Sequence, residues 1–94
     1  MLSNKEKKEL RSLAHHEKNL VNVGKHGLTD NLYESFEASL IAHNLVKVNI
    51  LKSSSVTLDE LIESFVHEYE CELVNKTGRV AIFYKYHEDG RIKL

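Results

Sequence analysis

The chain has 94 residues, of which 41% are hydrophobic and 29% are charged, and its net charge is −1. This length supports one hydrophobic core and this composition is too apolar for a disordered segment, so we expect a single domain spanning residues 1–94. No apolar run approaches the ~20 residues of a membrane span, and a lone cysteine excludes an internal disulfide or a CxxC zinc half-site. A cytoplasmic protein is therefore expected.

Charge is distributed unevenly along the chain. Residues 1–27 and residues 76–94 each carry a net charge of +3, whereas residues 28–75 carry nine acids against two lysines, a net charge of −7. The two ends could therefore form a basic surface beside an acidic one. A basic surface is the usual electrostatic feature of a nucleic-acid-binding protein, and the net charge alone conceals it.

The first predicted element is a helix from about Ser3 to about His16. Ser3 and Glu6 have the spacing of a capping box, which satisfies two backbone amides at a helix start. One side of the helix has a narrow apolar stripe, Leu10, Leu13 and Ala14, and another side is basic, with Lys7, Arg11, His15 and Lys18. The same pattern is typical of a solvated amphipathic helix, so by itself it predicts no function.

A short strand and a second helix follow. Leu20–Val23 predicts the strand, which leads through Gly24, Lys25, His26 and Gly27 to a helix that starts after the N-cap residue Thr29. Apolar residues at intervals of four carry that helix to about His43, with Glu34 and Glu37 on its outer side.

The rest of the chain predicts a strand, a helix and a hairpin. Residues 45–51 alternate between apolar and polar, as a half-buried strand does, and Thr57 with Glu60 forms a second capping box before an amphipathic third helix. Residues 71–75 and 79–86 predict two strands joined through residues 76–78. The order α-β-α-β-α-β-β predicts an α/β (α+β) fold with a mixed four-stranded sheet and packed helices.

The turn between the first strand and the second helix has the composition of a phosphate-binding loop. Two of the four glycines lie three residues apart there, with Lys25 and His26 between them. Glycine permits close backbone approach, and the amides at a helix start bind anions. A GxxG loop clamps the nucleic-acid backbone in KH domains, although strand-to-helix turns also use glycine for geometry alone. The P-loop and dinucleotide-binding spacings are absent.

Several segments resemble one known family. Leu10–His15, Val23–Thr29, Leu45–Val48 and Phe83–Lys85 are similar to the CRM domain (chloroplast RNA splicing and ribosome maturation) in its bacterial stand-alone, YhbY-type form. The resemblance runs over nearly the whole chain. It implies a fold like the C-terminal domain of translation initiation factor three, a GxxG loop that binds RNA, and association with precursors of the large ribosomal subunit.

Other chemistries are less well supported by the sequence. His15 and His16 point about 100° apart on a helix and cannot easily share a metal ion, so no metal or cofactor is expected. Cys71 has no neighbouring base to activate it, and the carboxylates lie on helix backs, so no enzymatic activity is predicted. Tyr84 and Tyr86 could stack bases, but tyrosines of this kind more often belong to the core.

We therefore predict a non-enzymatic, monomeric RNA-binding protein that assists assembly of the large ribosomal subunit. The predicted RNA-binding residues comprise the loop and the first helix with its C-terminal extension: Gly24, Lys25, His26, Gly27, Lys7, Lys8, Arg11 and Lys18. An alternative is a protein–protein adaptor on the ribosome whose acidic second and third helices dock on a basic partner. DNA binding is a third possibility.

Overall fold

Three helices and four strands alternate in the computed structural model, which describes residues 2–15 and 20–86. The elements are α1 (Asn4–Ala14), β1 (Leu20–Val23), α2 (Asp30–His43), β2 (Leu45–Ile50), α3 (Leu58–Tyr69), β3 (Glu72–Thr77) and β4 (Val80–Tyr84). This order, and the mixed four-stranded sheet that it builds, confirm the predicted fold class.

The strands form one sheet in the order β1-β2-β4-β3. β1 pairs with β2 in parallel, and both pairs that involve β4 are antiparallel. Since β1 and β2 run in the same direction, α2 connects them as a crossover helix. The C-terminal end of β1, where the glycine loop begins, therefore lies at the same end of the sheet as the C-terminal end of β2 and the β3–β4 turn.

Helices cover both faces of the sheet, but unequally. α2 and α3 pack on one face, where Phe36 and Phe65 stack with ring centroids 4.2 Å apart over Phe83 of β4. On the other face α1 buries Leu10 and Ala14 in a smaller cluster with Leu45, Val74 and Tyr84. Of the predicted apolar stripe, Leu10 and Ala14 are buried, but Leu13 is 44% exposed, so the part of α1 that contacts the sheet is narrower than predicted.

Local capping determines where the helices begin and end. The two predicted capping boxes are both present, with Ser3 accepting from the Glu6 amide and Thr57 accepting from the Glu60 amide. Thr29 is the N-cap of α2, as predicted, and the C-cap is Asn44, whose φ of 65° is left-handed. Asparagine tolerates this conformation better than most residues, so it ends the helix where β2 must begin.

The closing hairpin differs from its predicted boundaries. β3 and β4 are joined by a two-residue turn, Gly78 and Arg79, rather than through residues 76–78. The pairing also shifts between Leu73 and Asn75, so one extra residue is inserted into β3. Such a bulge depends on pairing with β4, and for this reason the local sequence pattern did not show it.

Candidate nucleic-acid interface

The glycine loop forms a tight, exposed turn. The Gly27 amide donates to the Gly24 carbonyl oxygen at 3.1 Å, which makes Lys25 and His26 the two central residues of a β-turn. Both side chains are exposed. Within residues 2–15 and 20–86, no acceptor is found for the backbone amides of Lys25 and His26. The turn therefore presents amide donors and a lysine to the solvent.

The two glycines of this turn have different structural roles. Gly27 has a φ of +69°, and a Cβ atom built there would lie 3.3 Å from Cγ2 of Val56, so the backbone conformation and the packing both favour glycine. Gly24 is outside the left-handed region, and a Cβ atom there would meet nothing within 4 Å. The described structure thus requires glycine at residue 27 but not at residue 24.

The start of α2 lies directly beside the turn. The Thr29 hydroxyl accepts from the Leu32 amide at 3.2 Å and caps the helix. The turn and the helix start line a shallow depression of about 290 Å³, whose wall includes Asn22, Gly24, His26, Thr29 and Asn31. The positive end of the helix dipole therefore points toward the same space as the turn.

The basic residues of α1 lie on one flank of that helix. Glu6 lines a depression at the opposite end of the sheet, together with Glu70, Glu72 and Tyr84. At 3.6 residues per turn, Lys7 lies about 100° and Arg11 about 140° around the helix from Glu6. α1 begins beside β3, where the Leu2 amide donates to Glu72, and the chain then continues to β1, so the helix crosses the strands. The flank that carries these two cations, turned away from Glu6, therefore faces the loop end of the sheet.

The remaining predicted cations of this region differ in their placement. Lys8 is exposed and lies a further 60° or so beyond Arg11, toward the solvent side of the helix. Lys18 lies outside the described residues, so its predicted role stays a prediction.

Three cations outside the predicted set also belong to the loop end or to the adjacent sheet surface. The Leu51 amide donates to the Val23 carbonyl at 2.9 Å, which places Lys52 next to the glycine loop. The Ile50 amide donates to the Arg79 carbonyl at 2.8 Å, which places Arg79 at the same end. Lys47 lies on the α1 face of β2. Lys47 and Lys52 were missed because they are embedded in the acidic middle of the chain, and only the strand pairing shows their position.

The other candidate chemistries gain no support from the structure. In the described part of the chain, no group of three histidine, cysteine or acidic residues could hold a metal ion. Cys71 is buried and its thiol donates to the Phe65 carbonyl, and burial raises its pKa to about 11. Tyr84 is 3% exposed and packs under α1, so it belongs to the core. None of the described helices has the length and apolarity needed to cross a bilayer.

Comparison with known proteins identifies the family. A family model of the CRS1/YhbY (CRM) domain matches residues 2–85. The chain belongs to the CRM family. The match includes the glycine loop, α1 and all four strands, so the predicted resemblance is confirmed.

Relatives of similar length match nearly the whole chain. The "Probable RNA-binding protein YqeI" of Bacillus subtilis is 32% identical over 91 residues, covering 97% of this chain and 95% of its own. A protein of Haemophilus influenzae named "RNA-binding protein" is 32% identical over 93 residues, covering 99% and 94%. The solution structure of the Staphylococcus aureus protein SAV1595 superposes with a TM-score of 0.77 at 32% identity, covering 100% of this chain and 99% of its own.

Proposed function

We propose that this protein binds RNA through the Gly24–Gly27 loop and the basic flank of α1, and that it assists assembly of the large ribosomal subunit. The observation that carries the proposal is Gly24. Neither its φ nor its surroundings require glycine, whereas a ligand backbone that approaches the turn closely does. The amides of Lys25 and His26, which have no acceptor among the described residues, and the start of α2 supply donors for a phosphate.

The distribution of charge supports one polyanion-binding side. α1 carries four basic and two acidic residues, whereas α2 and α3 together carry seven acids and neither lysine nor arginine. Because α1 lies on one face of the sheet and α2 with α3 lies on the other, the acidic and basic surfaces are separated across the sheet. A polyanion is repelled from the first and attracted to the second.

The relatives support RNA as the partner, since two of them bear names that refer to RNA binding. The fold offers shape and phosphate contacts rather than a helix that could enter a groove and read base pairs. We therefore propose a cytoplasmic, monomeric and non-enzymatic factor that binds ribosomal RNA in precursor particles, without a cofactor.

The salt dependence of binding tests the proposed contacts. Each phosphate contact contributes about 0.7 to 0.9 to the slope of log K against log salt concentration. The double variant Lys25→Ala with Arg11→Ala should therefore reduce the slope for a ribosomal RNA fragment by about 1.5. Fluorescence anisotropy titrations at four or five salt concentrations measure this slope.

A matched lysine variant controls for the loss of charge. Lys76 is exposed and its ammonium lies 3.2 Å from the Asp59 carboxylate of α3, on the acidic side of the sheet. Lys76→Ala should leave the slope unchanged. If the double variant also leaves the slope unchanged, the loop and α1 are not the phosphate-binding surface.

A second candidate function, an adaptor for a basic protein, is favoured by the exposed carboxylates of α2 and α3. Glu34, Glu37 and Glu63 are exposed on the face opposite to α1, where they would stay accessible while RNA is bound. An interaction with a ribosomal protein that survives RNase treatment and is lost in the triple glutamine variant would support this function. Loss of that interaction on RNase treatment would contradict it.

A further inference from the structure

Near the glycine loop, the described residues on the sheet face that carries α1 are exposed or half-buried. The apolar cluster under α1 includes Leu45 and Tyr84, which pair with each other at the far end of the strands. On this face of the sheet, the row of paired residues nearest the loop is Asn22, Asn49, Val80 and Thr77, and none of these is buried. We call these four residues, together with Lys47, the open sheet patch. No described residue of α1 belongs to an apolar cluster with them.

Asparagine is concentrated on this face. Asparagine is depleted in strands, yet β1, β2 and β3 each contain one, namely Asn22, Asn49 and Asn75. The strand pairing places all three on the α1 face, since Asn22 pairs with Asn49 and Asn75 pairs with Ile82 of the α1 cluster. Threonine or valine would favour the strands more, so strand propensity does not account for these residues.

Asn22 and Asn49 form an amide pair with unused hydrogen-bonding capacity. The Asn49 amide nitrogen donates to the Asn22 side-chain oxygen at 3.3 Å. Each amide has two donor hydrogens and one oxygen that can accept two bonds, so the pair keeps donors and acceptors for a ligand. Among the described residues, neither side chain has another bonding partner.

The patch connects the two proposed phosphate-binding elements. Asn22 is separated from Gly24 by one residue, and both line the depression beside the loop. On the other side of the patch, Lys7 and Arg11 occupy the flank of α1 that faces the loop end of the sheet. A strand of RNA that contacts both cationic elements can therefore lie across Asn22, Lys47 and Asn49.

We propose that the open sheet patch holds unpaired bases of the bound RNA, and that the Asn22–Asn49 amide pair discriminates between them by hydrogen bonding to base edges. The proposal rests on the proposed function and adds base selectivity to it. Asparagine amides offer a donor and an acceptor side by side, which matches the edge of a base. The half-buried Val80 supplies an apolar contact for the base, and Lys47 a charge for the adjacent phosphate.

Short single-stranded RNAs of different base composition test this inference. Dissociation constants are measured by anisotropy for octamers of adenosine, cytidine and uridine at one salt concentration. The wild-type protein should distinguish the tightest from the weakest octamer by about fivefold or more, the equivalent of one good base contact. The variant Asn22→Thr with Asn49→Thr keeps residues that favour strands and should reduce this ratio to about one.

Asn75→Thr is the matched control for the amide pair, because it makes the same exchange on the same face but on the far edge strand, where the Asn75 side chain donates to Thr77 and not to Asn22 or Asn49. With strands spaced by about 4.8 Å, that edge lies roughly 14 Å from β1. The control should keep the wild-type ratio, and all three proteins should melt cooperatively. The inference is overturned if the wild type has no base preference, if the double variant keeps it, or if Asn75→Thr loses it as well.

The salt slope separates this inference from the proposed function. The Asn22→Thr with Asn49→Thr variant should retain the wild-type slope, because it removes no cation. If its base preference and slope both equal those of the wild type while Lys25→Ala with Arg11→Ala still lowers the slope, base reading by the patch is wrong and phosphate binding stands. If wild type binds none of the RNAs, both are wrong.

Discussion

Substitution of the two loop glycines separates a glycine needed for folding from one needed for a ligand. At Gly27, an alanine must adopt a φ of +69° and bring its Cβ to 3.3 Å from Val56. The left-handed conformation costs an alanine roughly 1–2 kcal/mol. Alanine also reduces the conformational entropy of the unfolded chain, which stabilises the folded protein by about 0.4–1 kcal/mol. With the close contact to Val56 added, Gly27→Ala should lower the free energy of unfolding by about 1 kcal/mol.

Gly24→Ala should have the opposite effect on stability. Its φ is outside the left-handed region and its Cβ meets no atom within 4 Å, so only the effect on the unfolded chain remains. The variant should be as stable as the wild type or more stable by up to about 1 kcal/mol. Gly24→Asp should also fold, because its side chain extends into open space, but it places a carboxylate where the phosphate is proposed to lie.

Thermal melts followed by circular dichroism, paired with RNA titrations, measure both properties. For a domain of this size, 1 kcal/mol corresponds to a shift in Tm of about 4–8 °C. Gly27→Ala should melt lower by that amount. Gly24→Asp should melt near the wild-type temperature while its RNA affinity falls by roughly tenfold or more, the loss expected for one charge-assisted hydrogen bond. The reasoning is refuted if Gly24→Ala unfolds as easily as Gly27→Ala, or if Gly24→Asp binds RNA normally.

Two further predictions concern α1 and Cys71. Ser3→Ala should destabilise the protein by about 1 kcal/mol, because it removes the acceptor for the Glu6 amide, and chemical denaturation would measure the loss. The hydrogen bond from the Ser3 amide lowers the pKa of Glu6 below 4.5, so the carboxylate's contribution is present at neutral pH and is lost as the pH falls through the lowered pKa. At pH 8 the buried Cys71 thiol, with a pKa of about 11, should be ionised in only about one molecule in a thousand. A chromogenic disulfide reagent should therefore react slowly with native protein and rapidly in denaturant, and rapid native labelling would contradict the burial.

Elements specified by residues close together in the chain were predictable from the sequence. The pairs Ser3 with Glu6 and Thr57 with Glu60 mark helix starts because a side chain caps an amide three residues away. The alternation of β2 predicted that Val46, Val48 and Ile50 share one face, since a strand reverses its side chains at every position. The loop was also predictable, because its two glycines and its lysine are contiguous.

Features that depend on pairing between distant segments were not predictable in the same way. The bulge near Val74 and the two-residue turn at Gly78 arise from the register between β3 and β4. Lys52 and Arg79 lie 27 residues apart in the chain, and only the hydrogen bonds of the strand ends bring them to the loop end. The sequence could also not indicate that α1 lies on the face opposite to α2 and α3, because an apolar stripe fits either face.

The limited apolar surface of α1 links the fold to the proposed selectivity. Only Leu10 and Ala14 of this helix are buried, so α1 can cover one end of its sheet face and no more. A wider apolar stripe on α1 would extend the helix over Lys47 and Asn49. Burial of the Lys47 ammonium without a partner would cost free energy, and this cost would oppose such packing. Lys47 and Asn49 thus oppose packing of α1 on the loop end of the sheet. They leave an exposed polar surface, the open sheet patch, between two groups of cations. Apolar substitutions at Asn22 and Asn49, such as a screen for stability would select, should therefore raise the melting temperature of the protein. The same substitutions should reduce its discrimination between RNA bases.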